Sequence, residues 1–455
     1  MSEQVDVVVI GMGPGGEEVA GTLAEHGLKV VGVERHLLGG ECPYWGCVPS
    51  KMMIRAADLL AEGRRIPALA GRSSVEAEWG RVARRIRDEA TDDWNDKGAV
   101  DRFVGKGGIF VRGDGRITAP GEVTVDGRAF QAARGIVIGT GTAPAVPPIP
   151  GLSDVPFWTN HEAIEAATLP SSLAVLGGGA IGLELSQVFA RFGVAVTVIE
   201  AVDRVLAVEE PEASALLEDV LREEGLDVRT GAKATRVARG DGGGVAVELE
   251  GGDVVRADTL LVATGRRANL AGLGLDAVGL DPRARFVEVD DHLRAAPGVW
   301  ALGDVTGKGL FTHVSMYHAR IVIADILGQE GPGAEYGALP RVTFTDPEVG
   351  AAGITEHAAR ERGIAVRTGI AQVPSTTRGW IHGVGNQGFI KLVADADRDV
   401  LVGATSAGPN GGEVMSMLAL AIHAAVPIPR LRHMMYAYPT FHRGIEYALT
   451  ALSPD

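Results

Sequence analysis

The stretch VDVVVIGMGPGGEEVAGTLAEHGLKVVGVER, residues 5–35, decides the fold. A Val/Ile run leads into Gly11-x-Gly13-x-x-Gly16, a helical pattern follows, and a second Val-rich run ends in Glu34, 23 residues after Gly11. This reads as the strand, glycine turn, helix and strand of a dinucleotide-binding unit. The first glycine permits the tight turn, the second lets a pyrophosphate approach the backbone, and the third lets helix and strand pack closely. The first N–H groups of the helix then face the phosphates. Glu34 is placed to accept hydrogen bonds from a ribose diol. A single pattern of this kind is weak evidence, because ordinary turns also produce it.

The unit returns in LAVLGGGAIGLELSQVFARFGVAVTVIEA, residues 173–201, with Gly177, Gly179 and Gly182, and with Glu200 again 23 residues after the first glycine. Every matching position is displaced by 166 residues. Two copies with strand, helix and acid all in place point to an internal duplication rather than to two ordinary turns. A carboxylate at Glu200 suits a ribose 2′-hydroxyl and repels a 2′-phosphate. Arg204 lies close in sequence but does not follow the glutamate directly, so NADH is expected over NADPH.

The bulk properties limit the alternatives. A length of 455 residues suggests about three domains, and 46% hydrophobic against 22% charged residues is an ordinary globular balance. A formal net charge of −15 argues against a nucleic-acid surface and against anionic membranes. The start, MSEQVDVVVIGMG, has acids where a secretory signal has bases. The apolar run VMSMLALAIHAAVPIP near the end is too short to span a bilayer and reads as a buried helix. A cytoplasmic location is expected.

Both cysteines of the chain, Cys42 and Cys47, stand in GGECPYWGCVPSK, residues 39–51. A structural staple is disfavoured in a reducing compartment. A close pair in such a compartment reads as catalytic or metal-binding. A zinc site lacks ligands, because no second cysteine pair or histidine cluster accompanies the two, so no metal is expected. A helix starting near residue 48 would lower thiol pKa values through its positive end.

Between the two units, EAEWGRVARRIRDEATDDWNDKG reads as a charged, solvated helix. ARGIVIGTGTAPAVPPIPG closes short β segments with a proline-rich linker. DTLLVATGRRAN mirrors that ending after the second unit. From about residue 338 the pattern changes to strands and two helices.

Taken together, these residues resemble the class I pyridine nucleotide-disulfide oxidoreductases, the group of glutathione reductase, dihydrolipoamide dehydrogenase and mercuric reductase. GGECPYWGCVPSK is similar to the family signature GGTC-x4-C-[IV]-PSK, and ATG at 263–265, ALGDV at 301–305 and FTDPEVGAAGIT at 344–355 match further family blocks in order. The resemblance covers essentially the whole chain. It implies an α/β fold with two Rossmann-like domains and a C-terminal α+β dimerisation domain. The FAD domain would take residues 1–150 and 270–335, the NAD(P) domain 151–269, and the dimerisation domain 336–455. FAD would be held by Gly11, Gly13, Gly16, Glu34, Lys51, Gly105, Thr140, Gly141, Thr142, Asp304, Leu310, Phe311, Thr312 and His313. The nicotinamide cofactor would take Gly177, Gly178, Gly179, Ala180, Ile181, Gly182, Glu184, Glu200 and Gly265.

The resemblance also implies roles. Hydride passes from nicotinamide to flavin and two electrons pass on to the Cys42–Cys47 disulfide. Cys47 would be the charge-transfer thiol facing the flavin and Cys42 the interchange thiol that meets the acceptor. Lys51 would pair with Glu184 beside flavin N5, where its charge favours the anionic reduced flavin. The plain alternative for Lys51 is a surface lysine. A homodimer sharing its active sites is implied, with a small-molecule or protein-bound acceptor.

Two departures stand out. Family disulfide reductases carry His-Pro-Thr-x-x-Glu near the C-terminus, a general acid–base histidine and its orienting glutamate. Here the block reads YPTFHRGIEYAL, with Tyr438 at the histidine position and Arg443 at the glutamate position. General acid–base help is worth about 10²–10⁴ in rate. Tyr438 is a candidate proton donor or a packed interface residue, Arg443 a partner for a tyrosinate or an anionic substrate, and His442 a displaced base. Mercuric reductases also carry tyrosine in this region, but the C-terminal vicinal cysteine pair they use is missing here. Pro43-Tyr44-Trp45 is the second departure. It either packs the cysteine loop or offers a face to a flat acceptor such as a quinone. The expected activity is FAD-dependent NAD(P)H:disulfide oxidoreduction. The alternatives are quinone or metal-ion reduction by the same relay, or a flavoprotein without turnover that binds or senses.

Overall fold

The computed structural model describes residues 2–240 and 242–452. The expected C-terminal domain therefore includes three residues, 453–455, outside the described ones. The chain falls into two compact units, one of Met1–Ser50, Ala83–Ala145 and Arg266–Glu335, the other of Lys51–Val82, Val146–Gly265 and Tyr336–Asp455.

In the first unit, strand Glu3–Ile10 pairs in parallel with Val30–Glu34 on one side and with Arg128–Ile138 on the other. The sheet runs on to Ile109–Arg112 at one edge and to Val299–Ala301 and Arg294–Ala296 at the other. Alternate residues of the first strand feed two cores. Val8 and Ile10 join Val31, Val33, Ile136 and Ile138 on one face. Val7 and Val9 join the apolar side of helix Pro14–Glu25 and helix Thr312–Ile326 on the other. Period-two alternation in a strand buried on both faces produces this division. Pro14 stands at the start of its helix, where its missing N–H is not needed.

The second unit repeats the motif. Ser172–Leu176 pairs in parallel with Ala195–Ile199 and Thr259–Val262, and Asp227–Arg229 extends the sheet. A small antiparallel sheet, Ala234–Arg239, Val245–Leu249 and Val254–Ala257, shares its core. Residues after 336 form a five-stranded antiparallel sheet in the order Pro340–Thr343, Glu348–Gly353, Val400–Gly408, Phe389–Asp395 and Val366–Gln372. The α/β class and its α+β C-terminal part are as expected.

Three local expectations are corrected. The charged stretch at 76–98 is not one helix. It holds helix Trp79–Arg85 and a wider turn Ile86–Ala90, then Asp92, Asp93 and Trp94 adopt left-handed φ values of 48, 55 and 54° and end it. The C-terminal part has five helices among the described residues, not two. Three of them, Glu356–Glu361, Thr377–His382 and Ile428–Arg432, are too short to leave a periodic signal. Helix Gly411–His423 buries one stripe, Val414, Met415, Leu418 and Ala421, but Leu420 is 63% exposed, so the helix is not buried all round.

Candidate active site

The two glycine turns are built alike to the level of single hydrogen bonds. The Glu34 carboxylate accepts from the Met12 amide at 2.8 Å and from the His36 amide at 2.9 Å. The Glu200 carboxylate accepts from the Gly178 amide at 2.7 Å and from the Val202 amide at 2.9 Å. The donors, like the acceptors, are 166 residues apart. Each acid thus ties its strand end to its own glycine turn and keeps further lone pairs for a ribose.

The glycines divide by role. At Gly11 (φ 92°) a methyl would sit 2.5 Å from the Gly139 carbonyl oxygen, and at Gly177 (φ 107°) 2.4 Å from that of Ala263. At Gly16 and Gly182 it would strike the turn's own first carbonyl, at 2.0 and 2.1 Å. At Gly13 and Gly179 it would meet no described protein atom within 4 Å. The backbone is therefore open only at the position a pyrophosphate approaches, and both turns fit a dinucleotide.

Other expected FAD residues gather in the first unit. The Thr142 hydroxyl donates to the Asp304 carboxylate at 2.7 Å, and Arg266 holds Thr142 through its hydroxyl at 2.7 Å and its carbonyl at 2.8 Å. Arg266 also pairs with Glu41, the residue before Cys42, at 3.1 Å. Burial pushes the Asp304 carboxyl above its ordinary value. Thr140 and Gly141 are locked to Asn269 by reciprocal bonds. Phe311 stacks on His313 at 5.1 Å just where helix Thr312–Ile326 begins. Leu310, beside them, is 39% exposed.

Gly105 does not join this group. It ends helix Lys97–Gly105 and is exposed. The glycine brought to Glu34 is Gly113, whose amide donates to the Glu34 carbonyl at 3.0 Å, because Ile109–Arg112 is the strand paired with Val30–Glu34.

The cysteine loop is a pair of helix starts. Gly39 and Gly40 take φ values of 112 and 67°, and a methyl on Gly40 would lie 2.9 Å from the Gly13 Cα, so the loop rests on the first glycine turn. Asp96 accepts from the Leu38 amide at 2.7 Å and fixes its approach. Cys42 lies in helix Glu41–Tyr44, and Cys47 opens helix Cys47–Leu69. Cys42 is half-buried and Cys47 is exposed. Cys47 Sγ lies 3.4 Å from the Thr312 hydroxyl. A hydrogen bond with Cys47, then burial, push the Cys42 thiol far above its ordinary value. Tyr44 turns inward and packs with Pro43 against Gly39, so the loop's tyrosine serves local packing.

In the second unit, Lys51 Nζ pairs with the buried Glu184 carboxylate at 2.8 Å and lies 4.6 Å from the centre of the Phe344 ring. The other Glu184 oxygen accepts from the Phe344 amide at 2.8 Å. Helix Ala180–Arg191, which carries Glu184, starts at Gly179, and Ile181 is 39% exposed on its first turn. Gly265 has a φ of 132°. The Arg204 guanidinium is held by the Glu209 and Ala207 carbonyls and the Ser214 hydroxyl, at 3.0, 2.6 and 2.7 Å.

The C-terminal block separates its three candidates. Tyr438 is 64% exposed, and the Arg443 guanidinium lies over its ring at 5.4 Å. Arg443 also donates to the Tyr436 carbonyl and pairs with Glu446. His442 is turned the other way. Its Nε2 lies 2.8 Å from Met417 Sδ, its ring packs on Tyr436 at 5.1 Å, and burial lowers its pKa.

Comparison with known proteins settles the family. The family model "Pyridine nucleotide-disulphide oxidoreductase" matches residues 5–319, and the dimerisation-domain model of the same name matches 339–449. The chain belongs to the pyridine nucleotide-disulphide oxidoreductase family. It is a member of a group of FAD-dependent oxidoreductases that bind a pyridine nucleotide and carry a redox-active disulfide. Among similar proteins, a dihydrolipoyl dehydrogenase of Chlorobaculum tepidum is 34% identical, over 98% of this chain and 97% of its own length. A mercuric reductase of Streptomyces lividans is also 34% identical, over 99% of this chain and 96% of its own. The solved Cu(II) complex of the HOCl-induced flavoprotein disulfide reductase RclA from Escherichia coli superposes with a TM-score of 0.87 at 26% identity, over 98% of this chain and 100% of that one. Among the described residues no helix is long and apolar enough to cross a membrane, and no group of three or more His, Cys, Asp or Glu is placed to hold a metal ion.

Several site residues were not named from sequence. Gly113, Asp96, Arg266 and Asn269 act through partners far away in the chain, and no local pattern marks them. Gly39 and Gly40 were visible as a pair before Cys42, and their positive φ values are the signal that a double glycine offers.

Proposed function

We propose that this chain is an NADH- and FAD-dependent oxidoreductase that reduces a disulfide through Cys42 and Cys47. The observation that carries this reading is the placement of the two cysteines, Cys42 on helix Glu41–Tyr44 and Cys47 at the start of helix Cys47–Leu69 with its Sγ 3.4 Å from the Thr312 hydroxyl. FAD, when bound, supplies the two-electron carrier between nicotinamide and the cysteines. Gly11, Gly13, Gly16, Glu34, Gly113, Thr140 to Thr142, Asp304 and residues 310–313 would hold it. Gly177 to Gly182, Glu200 and Gly265 would hold the pyridine nucleotide. The amide-held Glu200 carboxylate and the engaged Arg204 guanidinium support NADH over NADPH.

In the thiol half-reaction, Cys42 attacks one sulfur of the acceptor. The acceptor's sulfur–sulfur bond breaks, a mixed disulfide with Cys42 forms, and the first half leaves as a thiol. Cys47 then attacks the Cys42 sulfur, the second half leaves as a thiol, and the Cys42–Cys47 disulfide closes. The leaving thiols take the two protons of the dithiol. One NADH and one proton from solvent restore it, so each turnover converts one disulfide into two thiols and NADH into NAD⁺.

Cys42 must shed its proton as it attacks. Tyr438 and Arg443 stand where the family's histidine and glutamate assist, and in a homodimer they would come from the partner subunit. Arg443 over the Tyr438 ring suits an acceptor bearing a carboxylate. His442, turned onto Met417, is not assigned a catalytic role. The dimerisation-domain match supports the homodimer, with an FAD domain of residues 1–150 and 270–335, an NAD(P) domain of 151–269 and a dimerisation domain of 336–455.

A second reading, reduction of a thiophilic metal ion by the same pair, is supported by the mercuric reductase relatives and by the Cu(II) complex of RclA. Cys42→Ser tests both. It should abolish NADH oxidation driven by disulfides while the bound FAD is still bleached by NADH. Quinone turnover alone, surviving Cys42→Ser, would contradict the proposal. Hg²⁺- or Cu²⁺-driven turnover without disulfide turnover would favour the second reading.

A further inference from the structure

Lys51 and Glu184 are the end of a longer polar ladder. On helix Ala180–Arg191, Glu184, Gln187 and Arg191 follow at steps of three and four and share one face. On helix Cys47–Leu69, Lys51, Asp58 and Arg65 follow at steps of seven and share another. The segment Phe344–Asp346 meets both.

Glu184 accepts from the Phe344 amide at 2.8 Å. The Gln187 side chain makes two bonds to Asp346, accepting from its amide at 2.8 Å and donating to its carbonyl at 2.8 Å. The Asp346 carboxylate accepts from Arg191 at 2.7 Å and from Arg65 at 2.6 Å. Arg191 reaches Asp58 at 2.7 Å and clasps Glu224 with two bonds at 3.0 and 2.6 Å. Gln187 and Arg191 are 3 and 4% exposed.

We infer that Gln187 and Arg191 are positioning residues that set the Lys51–Glu184 ion pair through the 344–346 segment. Both oxygens of Glu184 are engaged, one by Lys51 and one by the Phe344 amide. Where that amide stands is fixed by Asp346, two residues on. Asp346 in turn is held at its amide, carbonyl and carboxylate by Gln187, Arg191 and Arg65. A hydrogen-bonded fork at low exposure tolerates little displacement, so the ammonium of Lys51 is held on a rigid mount rather than on a flexible stem. Gln187 matters because it is neutral. It fixes the backbone of Asp346 without changing the charge beside Lys51.

The inference rests on the proposed role of Lys51 at the flavin. The test therefore compares Gln187→Leu and Arg191→Lys with Lys51→Met, all as FAD-loaded protein. Three quantities are measured: the midpoint potential of the bound FAD, its anaerobic reduction by NADH resolved into limiting rate and apparent KM, and the melting temperature. Lys51→Met should move the potential to more negative values. Gln187→Leu and Arg191→Lys should move it in the same direction and lower the limiting rate about tenfold to a hundredfold, with KM little changed. A lower melting temperature with wild-type potential and limiting rate would overturn the inference and leave the ladder as packing. Should Arg191→Lys fail to fold, Gln187→Leu decides, since it leaves every ion pair in place. Lys51→Met without any change in potential would overturn the reading of Lys51 and the inference with it. A shift in Lys51→Met alone would overturn only the inference.

Discussion

The two glycine turns share their hydrogen bonds and differ in what lies beneath them. Met12, between the first two glycines of the first turn, is fully buried, and its side chain fills the space left by Gly32. The matching residue of the second turn is Gly178. There the Glu200 and Val205 side chains close in instead, while both turns take a loop amide at the same carbonyl, Gly39 to Met12 and Leu206 to Gly178, each at 2.8 Å. The first turn is thus fastened to the core of a parallel sheet. The second is fastened to a loop whose Val202 and Val208 are 48 and 75% exposed. The same hydrogen-bond geometry thus rests on a buried methionine in one place and beside a partly exposed loop in the other.

The largest effects should come from breaking one turn at a time. Gly11→Ala and Gly177→Ala each force a left-handed alanine, costing about 1–2 kcal/mol, and drive its methyl into a carbonyl. Gly11→Ala should yield protein without bound FAD. Gly177→Ala should keep its FAD but lose reduction by NADH, while dithionite still bleaches it. Absorbance of the purified variants checks both. Equal FAD loss in the two would erase the distinction.

A smaller effect concerns the mount of the first site. His318 is fully buried on helix Thr312–Ile326, and its Nδ1 accepts from the amide of Gly303, next to Asp304. Burial, then Lys308, lower its pKa from 6.5 to about 4. The folded state therefore binds this proton less readily than the unfolded chain. The stabilisation is complete above about pH 6.5 and drains away toward pH 4, by about 3 kcal/mol in all. His318→Asn, which keeps an acceptor near the Nδ1 position, should lose this acid-dependent term. Melting curves of the two proteins between pH 7 and 4 should converge as the pH falls, and parallel curves would refute the assignment.

What the sequence made legible follows from the range of each interaction. The glycine turns, Glu34, Glu200 and the cysteine loop are local patterns whose physics is complete within about thirty residues, and the structure reproduces their geometry. Lys51 and Glu184, 133 residues apart, were paired only through the family resemblance. Gln187, Arg191 and Asp346 have no such pattern, because each partner is chosen by the packing of distant segments. Gly113 carries no local mark either, since which glycine reaches Glu34 depends on the strand that pairs beside it. His442 looked available in sequence, and only the position of Met417 on a separate helix shows which way its ring turns.

The central claim is that Cys42 and Cys47 form a working redox pair fed by NADH. Anaerobic titration of the FAD-loaded protein with NADH, followed across the visible spectrum, tests it most directly. The account predicts uptake of more than one equivalent of NADH, a long-wavelength charge-transfer band after the first that disappears in Cys47→Ser, and slower reduction by NADPH. Bleaching of the flavin by a single equivalent with no such band, identical in wild type and Cys47→Ser, would contradict it.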